Sequence, residues 1–270
     1  MKVIKPEVQI LIQPEGLEGI LKHIERCGRI CYKSEAKITE DSAVGFVNRM
    51  IKSKHYAMLE HGTCYLYIPM AEPNNLELIN FFANNHYSQT VLKDNKAYIT
   101  TNLRVMVENF PENDSWKDIL AHFNLEQADI NHIKKYTAHW IISRGIANEF
   151  VRHRVFSFAQ ESTRYCNYGK MGEALFIEPV WFDDADPKYR VSWLDSMDQA
   201  EDHYLELLEE YSPQFARGVL PLDLKTELVM TGTLDQWKGF FDLRYFEVTG
   251  KAHPDAKYIA SKWYDILMDQ

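Results

Sequence analysis

The sequence predicts an α/β protein of the α+β type, on three observations. Aromatic and β-branched runs at 63–69 and 136–143, with a third near 225–231, have the composition of strands. Apolar residues at helical spacing mark helices before and between them. The elements do not follow the regular strand–helix alternation of a doubly wound parallel sheet.

Taken in order, residues 15–31 and 40–54 read as helices, with Asp41 and Ser42 available to cap the second. Thr63 to Pro69 then reads as a strand. Residues 71–135 mix Asn, Pro and Asp with a strand-like piece around Tyr98 to Val107 and a helix from about 115 to 134. This stretch is expected to be an insertion. Tyr136 to Ser143 is the next strand, and a polar, Pro-bearing second insertion at about 167–192 precedes a helix over 193–211. The strand near 225–231 is followed by helices over 234–245 and 254–268. One domain spanning 1–270, interrupted by those two insertions, is the expected organisation.

Composition narrows the function. With 270 residues and 46% hydrophobic side chains, the chain can bury a full core without disulfides. Thirty basic against 39 acidic residues give a net charge of −9, which argues against binding a nucleic-acid backbone. Cys27, Cys31, Cys64 and Cys166 show no C-x-x-C pair and no zinc spacing, so they read as reduced thiols. No apolar run approaches the roughly 20 residues that cross a bilayer, and the expected location is cytoplasmic. Both G-x-G-x-x-G and the Walker A pattern are absent, so a bound nucleotide must be held by side chains.

The chemistry concentrates in Glu149 to Tyr165, where Arg152, Arg154 and Arg164 stand with His153, Ser157, Ser162 and Gln160 within 17 positions. Arginine offers a planar fork for phosphate oxygens, and serine completes such a cage without adding charge. The plainer reading pairs these arginines with Glu149 and Glu161 at the surface. Interleaved Phe150, Val151, Val155, Phe156 and Phe158 suggest instead a partly buried backbone, with the arginines kept for an anionic ligand.

Arg152-His153-Arg154, seven residues and Ser162 resemble the Arg-His-Arg-x7-Ser signature of the flavin-dependent thymidylate synthases. His55-Tyr56-Ala57-Met58-Leu59-Glu60-His61 is similar to that family's His-x-x-x-x-Glu-His segment. Further similarity lies in Ala216 to Leu222, Phe240 to Arg244 and Ala252-His253-Pro254, in the family's order. The resemblance implies a central, mostly antiparallel sheet flanked by helices, and FAD as cofactor. NADPH and methylenetetrahydrofolate are the implied co-substrates, with sites shared in a homotetramer.

Carried over residue by residue, the resemblance puts deoxyuridine monophosphate (dUMP) on Glu149, Arg152, Gln160, Ser162, Arg164, Arg217 and Arg244. It puts FAD on His55, Ala57, Arg152, His153, Arg154, Gln160, Thr233 and Gly239, with Asp235 nearby. Three positions depart from the family pattern. Ala159 stands where asparagine is frequent, Asp235 where some members have arginine, and Gly239 where asparagine or histidine meets the flavin.

Arg244 is the implied catalytic group, a fixed positive charge favouring the ionised uracil in place of a cysteine nucleophile. Ser162 has neither a Ser-His-Asp order nor a G-x-S-x-G elbow, and reads as a hydrogen-bonding residue. Trp237, Phe240 and Phe241 read as core. His55, His61, His139 and His153 lack ligand spacing, so no metal site is expected. Two other classes remain at this point: a nucleotide-binding regulator without flavin, and a metal-dependent phosphohydrolase sensitive to chelation.

Overall fold

The computed structural model describes residues 1–270, the side chain of Asn113 apart. Strands β1 (Lys2–Ile4) and β2 (Glu7–Ile10) lead into α1 (Gly16–Tyr32) and α2 (Ser42–Lys52). Next come β3 (Thr63–Pro69), α3 (Pro73–Asn84), β4 (Gln89–Lys93), β5 (Lys96–Asn102), α4 (Leu103–Asn109) and α5 (Ser115–Phe123). The chain continues through β6 (Lys135–Ser143), α6 (Arg144–Phe150), β7 (Ser157–Gln160), α7 (Tyr168–Met171) and β8 (Leu175–Ile177). It closes with α8 (Pro187–Leu208), α9 (Pro213–Ala216), β9 (Lys225–Thr233), α10 (Leu234–Arg244) and α11 (Pro254–Met268).

The central sheet is antiparallel, in the order β2-β6-β9-β7. Every residue of β9 is buried, so both faces of the sheet are covered. One face carries Trp140, Leu228 and Met230, packed with Phe150, Trp237, Phe240 and Trp263 from α6, α10 and α11. The opposite face sets Val229 and Ala159 against Cys27, Ile30 and Cys31 of α1. Each fully buried tryptophan removes about 150–250 Å² from water, on the order of 5 kcal/mol before conformational entropy is counted. The aromatic stripe of α10 is therefore core, as its spacing predicts.

A second antiparallel sheet, β3-β5-β4, packs on α1 and α2 through Ile24, Phe46, Leu66 and Ile99. Residues 71–135 thus supply two of its three strands. The polar stretch after 167 likewise contains β8, which pairs in parallel with β1. No helix among the described residues is long and apolar enough to cross a membrane.

Three expected elements differ. The strand-like piece at 98–107 is β5 followed by α4, because the Asn102 side chain accepts from Val105 N–H at 3.0 Å and starts a helix despite the β-branched valines. The helix expected to reach 134 ends at Phe123. There Asn124 Oδ1 accepts from Tyr65 N–H at 3.2 Å, Leu125 N–H donates to Tyr65 at 2.8 Å, and these tertiary bonds replace helical ones. The helix expected from 193 starts at Pro187, capped by Asp186 Oδ1 accepting from Lys188 N–H at 2.9 Å.

A polar seam crosses the α1 face of the central sheet. His61 Nδ1 lies 2.8 Å from Thr231 Oγ1, which lies 2.8 Å from Thr137 Oγ1, itself 3.2 Å from His23 Nε2. Burial pushes His23 down to about 3 and His61 to about 4, from an ordinary 6.5. Both are neutral at pH 7. Between pH 6.5 and 4 the unfolded chain binds protons that the folded chain refuses, so their stabilisation is complete above 6.5 and is lost as pH falls. Each group contributes a slope of about 1.4 kcal/mol per pH unit in that window, about 3 for the pair. The urea midpoint is expected to drop steeply from pH 6.5 to 4 and to fall less steeply in His23→Gln. A flat wild-type profile would contradict the assignment of neutral histidines.

Candidate active site

The signature segment is a turn. Helix α6 ends at Phe150, Val151 to Phe156 bend back, and β7 enters the central sheet beside β9. Phe150 and Phe156 are buried and anchor the turn, which turns the intervening polar side chains outward. Arg152, Arg154 and Arg164 are exposed, above a segment whose Phe150, Phe156 and Ala159 are buried. Their surface pairing fails: Glu149 is bound by Arg244 and Glu161 by Lys225, leaving these three arginines without carboxylate partners among the described residues.

One group of expected residues converges at the C-terminal end of α10. Arg244 Nη1 donates to Glu149 Oε2 at 2.5 Å, Nη2 donates to the Glu149 carbonyl at 3.1 Å, and Nε donates to His153 Nε2 at 3.0 Å. Burial, with the nearby Arg244 charge, pushes His153 down to about 4, so the ring is neutral at pH 7. Its Nε2 accepts from Arg244, and the proton therefore sits on Nδ1. A guanidinium has five N–H donors; three are engaged here, which leaves two for a ligand.

A second group follows β7. Ser162 N–H donates to the Cys31 carbonyl at 3.0 Å, fixing the loop to the end of α1, and Arg217 Nη1 donates to Thr163 Oγ1 at 3.0 Å. Gln160 Nε2 reaches Thr226 Oγ1 at 3.5 Å, a weak contact. Arg164 lies over the Tyr165 ring at 5.5 Å.

The third group is divided. Arg154 and Thr233 line a cavity of about 370 Å³ that also takes in Lys135, Gln89 and Gln236. Thr233 caps α10, accepting from Gln236 N–H at 3.3 Å while Gln236 Oε1 accepts from Thr233 N–H at 2.8 Å. His55 and Ala57 instead line a separate cavity of about 380 Å³ with Tyr32, Tyr56 and Arg104. Gly239 is exposed, and a Cβ there would meet nothing within 4 Å. Asp235 is exposed and paired with Lys238 at 2.9 Å.

The fit of a phosphate-bearing cofactor is tested best in the 370 Å³ cavity. That volume is within the range of small-molecule sites. The buried Oε1 of Gln89 has no donor, and neither Lys135 nor Arg154 has an ion-pair partner among the described residues. Such a lining suits part of a dinucleotide.

Sequence reading missed a network behind the Ser162 loop. Lys225 Nζ donates to Glu161 Oε2 at 2.8 Å and to Glu227, and Lys33 Nζ donates to Glu227 Oε1 at 2.7 Å. His139 Nε2 lies 2.8 Å from Glu227 Oε2, and Gln9 Nε2 lies 2.8 Å from His139 Nδ1. The available signal was Lys225 and Glu227 two apart in one strand, hence on one face.

The four histidines considered as a metal cluster have different surroundings: His55 precedes a 3-10 turn, His61 meets Thr231, His139 meets Glu227 and His153 meets Arg244. Among the described residues no three His, Cys, Asp or Glu side chains converge as a metal would require.

Residues 70–270 match the family described as thymidylate synthase complementing protein. The flavin-dependent thymidylate synthase of Corynebacterium glutamicum is 31% identical over 122 residues, covering 39% of this chain and 47% of the relative. That of Corynebacterium diphtheriae is 28% identical over 145 residues, covering 48% and 55%. The chain spans about half the length of the curated relatives it matches. A solved UMP/dUMP methylase, PolB from Streptomyces cacaoi bound with 5-Br dUMP, aligns over 100% of this chain and 93% of its own at 14% identity, with a TM-score of 0.47.

Proposed function

The chain belongs to the thymidylate synthase complementing protein family, and on that premise we propose that it converts dUMP to dTMP by flavin-dependent reductive methylation. In the balanced reaction dUMP, methylenetetrahydrofolate, NADPH and a proton give dTMP, tetrahydrofolate and NADP⁺. FAD, when bound, would supply the hydride that completes the methyl group.

The observation that carries the reading is Arg244, held in a fixed orientation with two N–H donors to spare. In this role its charge favours the ionised uracil imide, so that carbon five acts as the nucleophile. Arg152, Arg164 and Arg217 would hold the nucleotide phosphate, with Ser162 and Gln160 as hydrogen-bonding residues. Arg154, Thr233 and Lys135 would hold FAD, with His55 and Ala57 beside it.

The cysteines favour a reaction without a thiol nucleophile. All four are free and buried, and burial pushes Cys31 and Cys64 up to about 12 and Cys166 to about 11. Thiolate is scarce at neutral pH in such surroundings.

Among the described residues no side-chain hydrogen bond or ion pair joins the three groups of expected residues to one another. Sites shared between copies in a homotetramer would bring them together, and we propose that arrangement for a cytoplasmic enzyme. Mixing an Arg164 variant with an Arg244 variant should then restore activity, and no recovery would count against shared sites.

The purified protein is expected to absorb in the visible as a flavoprotein and to bleach faster with anaerobic NADPH when dUMP is present, with dTMP formed after the folate is added. A colourless protein that FAD does not restore would overturn the assignment.

A further inference from the structure

The 370 Å³ cavity has two walls of different origin. The signature turn and the start of α10 supply Arg154, Thr233 and Gln236. The segment 71–135, which contains none of the motifs quoted above, supplies most of the other wall, including Gln89, Asn102 and Lys135. Two groups of this second wall are chemically incomplete. Gln89 Oε1 is buried without a donor, and an unmet buried acceptor is costly unless something else supplies an N–H or O–H. Lys135 Nζ makes no hydrogen bond or ion pair among the described residues; its backbone N–H is held by the Tyr65 hydroxyl at 3.2 Å, which fixes the root of the side chain.

The charges around the cavity leave room for an anion. Its only carboxylate, Glu60, is taken by Arg104 at 2.6 Å, which leaves the ammonium of Lys135 and the guanidinium of Arg154 without a paired anion. A diphosphate carries two negative charges at neighbouring phosphorus centres, one for each cation, with oxygens suited to both. Burial lowers the Lys135 pKa, and an anion arriving beside it would reverse that direction.

We propose that the 71–135 segment completes the cofactor pocket, Lys135 and Arg154 together holding the diphosphate of a dinucleotide while Gln89 accepts an N–H or O–H of the same ligand. The proposal rests on the flavin-dependent reading above and adds residues that the signature does not contain. It gives the segment a specificity role, since a mononucleotide such as FMN lacks the second phosphate.

The test is equilibrium titration of the full chain with FAD, FMN, NADPH and dUMP, for the wild type and for Lys135→Met, Lys135→Arg and Gln89→Leu. Lys135→Met is expected to weaken FAD roughly 10- to 100-fold and to flatten its salt dependence. Lys135→Arg should recover most of that affinity, and dUMP binding should stay within about twofold. Gln89→Leu should weaken FAD by roughly tenfold. The thermal midpoint of Lys135→Met should not fall, because the lost charge has no protein partner; this separates a ligand role from a structural one. Weakening confined to NADPH would support the diphosphate site and assign it to the nicotinamide co-substrate. If the wild type binds FAD and all three variants bind FAD and NADPH equally well, the proposal is overturned while the flavin reading stands; a wild type that binds neither dinucleotide overturns both.

Discussion

Arg244→Ala is expected to lower turnover roughly 10²- to 10³-fold, the cost of removing one preorganised electrostatic group, while dUMP affinity falls much less. The asymmetry follows from how the cationic residues are distributed. Arg152, Arg164 and Arg217 are exposed and would still meet the phosphate, so most ground-state binding survives. Arg244 differs in being held by three hydrogen bonds, with its side chain only 19% exposed. Neutral His153 accepts from Nε and adds no competing charge, and Glu149 orients the fork without exhausting its donors. A group fixed in this way acts without reorganising, which is why its loss should appear in kcat more than in KM. Arg244→Lys should recover little, because a point ammonium cannot reproduce the fork that Glu149 and His153 orient. Glu149 keeps 34% exposure, so its carboxylate can rehydrate and the variant should fold. The measurements are steady-state turnover and dUMP titration on the same preparations. Wild-type turnover with normal dUMP binding would remove Arg244 from the chemistry.

The same residues show what a single sequence makes legible. The strands Thr63–Pro69 and β6, and the helices α1, α10 and α11, could be read directly, because each repeats its apolar residues at one period and is bounded by a cap, a proline or a charge. The end of α5 could not, because Asn124 and Leu125 leave the helix to bond Tyr65, a partner 60 residues away in sequence that local propensity does not contain. The same limit applied to the site. The Arg-His-Arg signature pointed to anionic chemistry and its phenylalanines to a partly buried backbone, but which side chains the turn exposes could not be read from spacing: Phe150 and Phe156 are buried while Arg152 and Arg154 are exposed. Lys135 and Gln89 carry no local motif at all. Their significance appears only when β4 and the start of β6 are brought to the signature turn, which puts an unpaired ammonium and an amide with an unmet oxygen among the residues lining one cavity.

Lys225→Met should destabilise the protein by about 3–5 kcal/mol, the usual cost of removing one partner from a buried ion pair, and should weaken dUMP binding as a consequence. Lys225, Glu161 and Glu227 are all nearly inaccessible, at 6%, 2% and 6% exposure. Burial works against the Glu227 carboxylate, yet the bond from His139 and the ammonium groups of Lys225 and Lys33 outweigh it and hold its pKa well below the usual range. Without Lys225, Glu161 would keep only the Tyr168 hydroxyl at 3.2 Å and the Glu227 N–H at 3.2 Å, and Glu227 would keep Lys33 and His139. A carboxylate stripped of its cation in that position is drawn toward water, and Glu161 cannot move without carrying Ser162 with it. The expected signature is therefore double: a lower urea midpoint, and a raised KM for dUMP with kcat less affected. Adding Glu161→Gln to Lys225→Met should recover part of the stability, because the second change removes the stranded charge. If Lys225→Met has wild-type stability and the double variant is no more stable than the single one, the network does not hold the Ser162 loop, and the bond from Ser162 N–H to the Cys31 carbonyl must be enough to position it.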